Sequence, residues 1–231
     1  MRKIVIVLGV VVGLIWSFSV LAEEDKTISS GGPYQADEHT VLLMHFDELD
    51  GNPKDSSKFG NDAYSNTATW TGEGKFGPAL QFDGIDDAVV IASNKNLQFK
   101  GAITCEAWIK CLGLGGEKYQ TILAKPGEYM LHLWKDGSSI CFLNWGSLGT
   151  IGADVDFRDK QWHHVAATYD GKKRNFYIDG ELRESDEPSG SIENSNAPFS
   201  IGTYFKGTEF NGLIDEVRIS NIVRTFKASD K

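Results

Sequence analysis

The stretch Trp162 to Arg183, WHHVAATYDGKKRNFYIDGELR, holds two aromatic-rich apolar runs joined by Asp170-Gly171 and closed by Asp179-Gly180. Asp-Gly between such runs predicts tight hairpin turns, because both residues tolerate positive φ and the turn then follows the twist of its strands. The same grammar extends outward. From Val41 onward, short apolar runs are separated by Gly, Asp, Asn and Ser, and no segment keeps a helical period for three turns. Strands are predicted at Val41–Phe46, Ala79–Phe82, Ala88–Ile91, Ile103–Lys110, Thr121–Lys125, Tyr129–Trp134, Ser139–Leu143, Trp162–Tyr169, Asn175–Ile178, Phe199–Ile201 and Leu213–Ile219. Trp134 to Ile140 adds a hairpin through Asp136-Gly137, and Glu184 to Asn196, ESDEPSGSIENSN, reads as a polar connection. Many short strands with frequent turn signals predict an all-β sandwich or barrel.

Three further segments sharpen this reading: LLMHFDE from Leu42, GPALQFDGIDD from Gly77 and GLIDEVRIS from Gly212. Together with the hairpin stretch they resemble the LamG-like (laminin G type 3) jelly-roll domains of the concanavalin A-like lectin and glucanase superfamily. The resemblance runs from Leu42 to Ile222 and implies a two-sheet antiparallel jelly-roll sandwich, mostly extracellular, usually non-catalytic, often binding glycans or protein partners. Function cannot be taken from the fold alone, because the superfamily is functionally mixed.

Residues 1–22 begin with Arg2 and Lys3, run through IVIVLGVVVGLIWSFSVL and end in Ala22. That order is the form of a secretory signal peptide. The apolar run is also long enough to cross a bilayer if left uncut, so an uncleaved anchor is the alternative and the one route to a membrane. Residues 23–39 read as a flexible lead-in and 40–231 as one domain. Losing two positive charges with the signal takes the net charge from -9 to -11. A nucleic-acid partner is therefore not expected, since polyanions require clustered Lys and Arg. Cys105 and Cys111 lie along one strand, so a bridge would need Cys141; buried free thiols are the simpler expectation.

Catalysis on this kind of sandwich needs carboxylates on one strand face. Glu184 and Asp186 have the first spacing but are followed by Pro188 and Ser189 in a predicted loop. Asp154, Asp156 and Asp159 read as a solvated turn. His163 and His164, adjacent on a strand, face opposite sides and cannot share a metal. No catalytic residue is assigned. Alternation puts Asp215 on one face with Leu213, Val217 and Ile219, and a buried carboxylate requires donors or a cation. The family resemblance implies a structural calcium near the end of the first strand, with Asp47, Asp55, Asn61 and Asp215 as candidate ligands. Asp83, Asp86 and Asp87 form a weaker acidic turn. Loop aromatics suited to stacking on a sugar are Trp145, Tyr204 and Phe205. The expectation is a secreted or cell-envelope, non-enzymatic module that binds a glycan or glycoconjugate. The alternative is an adhesion module for an extracellular protein, and a polysaccharide-active enzyme is a third, less favoured reading.

Overall fold

The computed structural model describes residues 27–29, 33–134, 136–144 and 148–228. The signal peptide or anchor expected over residues 1–22, and Trp145, lie outside the described residues. In chain order the strands are β1 (Thr27–Ser29), β2 (Thr40–Met44), β3 (Ala63–Asn66), β4 (Thr69–Thr71), β5 (Ala79–Asp83), β6 (Val89–Ile91), β7 (Ile103–Cys111), β8 (Tyr119–Lys125) and β9 (Tyr129–Trp134). They continue as β10 (Ile140–Asn144), β11 (Gly149–Ala153), β12 (His163–Tyr169), β13 (Arg174–Ile178), β14 (Glu181–Asp186), β15 (Phe199–Ile201), β16 (Asn211–Ser220) and β17 (Thr225–Lys227). No helix among the described residues is long and apolar enough to cross a membrane.

Two antiparallel sheets form the sandwich. One has seven strands in the order β11-β10-β9-β8-β15-β6-β3; the other has eight, β14-β13-β12-β7-β16-β5-β4 with β2 also on β16. The hairpins fall where Asp-Gly requires them. Asp179 (φ 51) and Gly180 (φ 77) give the doubly positive φ of a type I′ turn between β13 and β14. A side chain on Gly180 would run into the Lys227 carbonyl, so glycine is needed there for space as well as for φ. At the β12–β13 turn the Asp170 carboxylate accepts the amides of Lys172 and Lys173.

Strand alternation builds the core. Ile103, Cys105, Ala107 and Ile109 of β7, with Val165, Ala167 and Tyr169 of β12, point inward against Tyr129, Leu131 and Leu133 of β9. Cys105, Cys111 and Cys141 are all buried free thiols.

Two expectations change. Glu184–Asp186 is not loop but the end of edge strand β14, paired from Arg174↔Asp186 to Ile178↔Glu181. Its run of polar residues suits an edge exposed to water, which hides it from a search for apolar alternation. Residues 33–39 are not a loose lead-in either. Tyr34 is buried against Leu43 and Trp108, and Arg224 donates to both carboxylate oxygens of Asp37 at 2.7 and 2.8 Å. This strap lies on the outer side of the eight-stranded sheet, where β1 and β17 also pair in parallel.

Candidate functional site

The outer face of the seven-stranded sheet is grooved. Inward-pointing Tyr129, Leu131 and Leu133 leave Met130, His132 and Trp134 of β9 on the opposite side, beside Tyr119 and Thr121 of β8 and Cys141 of β10. The loop after β15 then brings two more rings. It starts at Gly202, whose positive φ (88°) and contact with the Phe82 ring leave no room for a side chain. It closes with Phe210 N donating to the Gly202 carbonyl at 2.7 Å, and Thr208 Oγ1 donating to the Phe205 carbonyl at 2.8 Å pins its tip. Neighbouring backbone holds the loop too: Thr121 N donates to Thr208 O, and Glu117 N to Gly207 O.

The result is an unbroken series of rings across the sheet. Trp134 and His132 lie 6.4 Å apart between centroids, His132 and Tyr119 4.8 Å, Tyr119 and Tyr204 6.5 Å, and Tyr204 and Phe205 4.3 Å. Tyr119 and Tyr204 are nearly parallel and share a hydrogen bond between hydroxyls at 2.9 Å. Trp134 and Phe205, at the two ends, are each 48% exposed. A groove of about 730 Å³ lies on one side of the tyrosine pair, lined by His132, Trp134, Asp136 and Thr150. A second, about 630 Å³, lies on the other, lined by Ile85, Val90, Ser200 and Phe205. Burial pushes His132 down to about 4, so its ring is neutral in ordinary conditions, and its Nδ1 has no hydrogen-bond partner among the described residues.

Of the expected ligand-binding residues, Tyr204 and Phe205 stand in this face. Tyr119, His132 and Trp134 were missed by the sequence reading. The signal was there: strict alternation in YMLHLW puts Met, His and Trp on one face and Tyr, Leu and Leu on the other.

The expected metal ligands fall into two places. Strand β16 pairs with β7 along one edge; its other edge is shared by β5 at Asn211–Ile214 and β2 at Val217–Ser220, and Asp215-Glu216 fill the break. Glu216 (φ 51) makes a bulge, so the phase of alternation changes there. Ile214, Val217 and Ile219 enter the core, whereas Asp215 faces outward beside Trp108 and does not share the face of Val217 and Ile219 as expected. It is only 1% exposed because a turn covers it, and its Oδ2 accepts the amides of Lys75 (2.8 Å) and Phe76 (3.1 Å). Burial outweighs those donors and pushes the carboxyl up to about 7. Gly77 of the same turn abuts Asp47 Oδ1. Asp55, by contrast, accepts four hydrogen bonds, from the amides of Leu43, Ser57 and Asn61 and from the Ser57 hydroxyl. A carboxylate has about four acceptor positions, so none is left for a cation. Asn61 donates its side-chain amide to Val41 O. Asp55 and Asn61 are therefore anchors of a turn. Of the four, Asp215 keeps a buried carboxyl met by backbone amides, and Asp47 lies at the turn that covers it.

The carboxylate sets considered for catalysis are committed elsewhere. Asp156 is held at about 2 by its hydrogen bonds to Arg158, and Asp159 meets His163 Nε2 in the turn before β12. Asp186 is bound to Arg174 and Glu184 is exposed on the sheet edge. Asp136 beside the first groove is held below the usual carboxylate range by the Ser138 hydroxyl and amide, the opposite of what a general acid needs. His163 and His164 do face opposite sides: His163 packs on core Phe157, while His164 contacts Glu106 and Trp108 on the outer face. Asp83, Asp86 and Asp87 lie within 4.8 Å of one another, with carboxylates accepting amides of their own turn.

Solved structures share this fold. The binding domain of Paraclostridial Mosquitocidal Protein 1 superposes with a TM-score of 0.66 at 15% identity, over 83% of this chain and 50% of that one. Domain 4 of AbnA, a GH43 extracellular arabinanase from Geobacillus stearothermophilus solved with arabinotriose, gives 0.63 at 21%, over 81% and 94%. The botulinum neurotoxin serotype G binding domain gives 0.62 at 14%, over 79% and 48%. The chain thus spans about half the length of the two toxin binding domains. At these identities the likeness is one of fold. No curated protein sequence matches the chain. Residues 82–227, more than half of the sequence, match the laminin G type 3 family, described as the Concanavalin A-like lectin/glucanases superfamily, and the chain belongs to that family.

Proposed function

We propose that this protein is a secreted, non-catalytic module that binds carbohydrate through the outer face of the seven-stranded sheet. The observation that carries the reading is the ring series from Trp134 to Phe205, half-exposed at both ends and bordered by hydroxyls and carboxylates. Flat rings offer faces to the C–H groups of a sugar, and flanking polar groups meet its hydroxyls; an apolar pocket with few convergent polar groups is the usual form of a ligand site. The arabinotriose held by the similar AbnA domain supports a glycan. The charged amino-terminal start and apolar run of residues 1–22 support export. A protein partner is the second reading, favoured by Ile85, which is 71% exposed beside the second groove.

A glycan-array screen of the exported chain tests the proposal. Binding that is lost in Trp134→Ala and Tyr204→Ala, with melting temperature kept, supports it. Retention by protein but not by glycan ligands selects the second reading, and reducing-end release from any bound polysaccharide removes the non-catalytic part.

A structural calcium held by Asp47 and Asp215 completes the proposal. The ion would supply positive charge at the break between β2 and β5. Calcium at a hundredfold excess over its dissociation constant should then stabilise the fold by about 2.7 kcal/mol. The shift should vanish in Asp215→Ala, and an identical wild-type melting curve in chelator would remove the metal from this account.

A further inference from the structure

We infer that the two grooves form one through-going site for an internal segment of a neutral, linear polysaccharide, crossing the Tyr119–Tyr204 ridge. The inference rests on the carbohydrate reading and specifies its ligand.

Both grooves have the same three parts. Each ends on a half-exposed ring, Trp134 in the first and Phe205 in the second. Each also has a lining residue whose buried polar atom has no partner among the described residues: Nδ1 of His132 in the first, Oγ of Ser200 in the second, both residues being 6% exposed. A polar atom left unsatisfied costs about 1–3 kcal/mol, so a ligand hydroxyl that reaches either one from its groove would relieve that cost. The neutral His132 ring lets Nδ1 accept such a hydroxyl, and Ser200 Oγ can donate or accept.

The third part is charge. Glu117, Asp136 and Lys118 border the first groove, and Asp86, Glu209 and Lys206 the second, two acids to one base in each. On a chain whose net charge is -9, this border repels uronates and sulfated sugars while leaving an uncharged polymer unaffected. Between the grooves stands the tyrosine pair, joined by one hydrogen bond between its hydroxyls, and the ring series continues across it. A site sealed at one end would select chain termini, whereas one with exposed rings at both ends accepts a strand passing through.

Calorimetry with cello-, xylo- and arabino-oligosaccharides from disaccharide to hexasaccharide, and with alginate and heparin fragments of matched length, tests this. Affinity for the recognised neutral series should rise by about tenfold or more from disaccharide to hexasaccharide, as a second subsite engages intramolecularly. Trp134→Ala and Phe205→Ala should each cut hexasaccharide affinity by about tenfold and return it to the disaccharide level. Affinity independent of length, or sensitive to only one of the two substitutions, overturns the through-going site while leaving a single-groove glycan module. Preference for the anionic fragments overturns the neutral-ligand part. Absence of binding to every sugar overturns the carbohydrate reading itself and this inference with it.

Discussion

The two outer faces of the sandwich treat their polar and aromatic groups in opposite ways. On the eight-stranded sheet, Glu106 lies between Arg218 (2.7 Å) and His164 (3.1 Å), and Tyr34, Phe76 and Phe226 close over that surface. Burial alone would raise the Glu106 carboxyl; Arg218 and His164 hold it at about 2 instead. The Arg218 guanidinium stacks 4.1 Å from the Tyr34 ring, so the strap adds a cation–π contact to the pair. On the seven-stranded sheet, Trp134 and Phe205 stand half in water, and the buried His132 is unprotonated with no partner for Nδ1 among the described residues. Residues of similar chemistry are thus spent on stability on one side and left available on the other.

The contrast breaks most directly at Arg218. Arg218→Leu leaves Glu106 buried without its main counter-charge and should cost about 3–5 kcal/mol, seen as a lowered urea midpoint. Glu106→Leu combined with Arg218→Leu should recover most of that loss, because an apolar pair needs no charge compensation. If the double variant is no better than the single one, the covered face is held by packing and not by the ion pair.

Next in size is Gly202→Ala, where a positive φ and the Phe82 ring both oppose a side chain. It should cost about 1–3 kcal/mol. It should also weaken ligand binding, since the loop carrying Tyr204 and Phe205 begins there. A neutral outcome would mean the loop can be rebuilt without its hinge.

A smaller effect belongs to pH. His163 Nδ1 is 2.8 Å from Asp179 Oδ2, and that bond raises the histidine above its ordinary 6.5. The bond's stabilisation is therefore full below pH 6.5 and is lost as pH rises through the higher folded value. His163→Gln should flatten that decline in a pH series of melting temperatures. An unchanged slope would assign it to His45, which Glu216 raises in the same sense.

Least of all should be the stability change in Trp134→Ala, within about 0.5–1 kcal/mol because the ring is half in water. Its effect belongs to binding. A loss as large as that of Arg218→Leu would show that the open face is a packing surface too.

Much of the fold was legible because its signals are local. Asp170-Gly171 and Asp179-Gly180 each specify a turn through φ, and Phe199–Ile201 reads as a strand between polar flanks with its observed limits. What escaped depends on residues far apart in sequence. Nothing in GLIDEVRIS marks Glu216 as an extra residue; the bulge arises because β5 and β2 share one edge of β16, and it moves Asp215 to the other face. Edge strand β14 hid behind its polarity. The family resemblance makes Asp55 a candidate cation ligand, but amides of Leu43, Ser57 and Asn61 fill its carboxylate, a closure only the folded turn reveals. The open face was half legible: alternation along β9 singles out His132 and Trp134, but the meeting of Tyr119 with Tyr204 requires the sheet.

The strap at residues 33–39 gives the molecule a direction. Tyr34 and the β1–β17 pair fasten the incoming chain to the back of the sandwich, and both grooves open at the front. The ring series therefore stands on the outer face opposite the one that Thr27–Ser29 and Tyr34 cover.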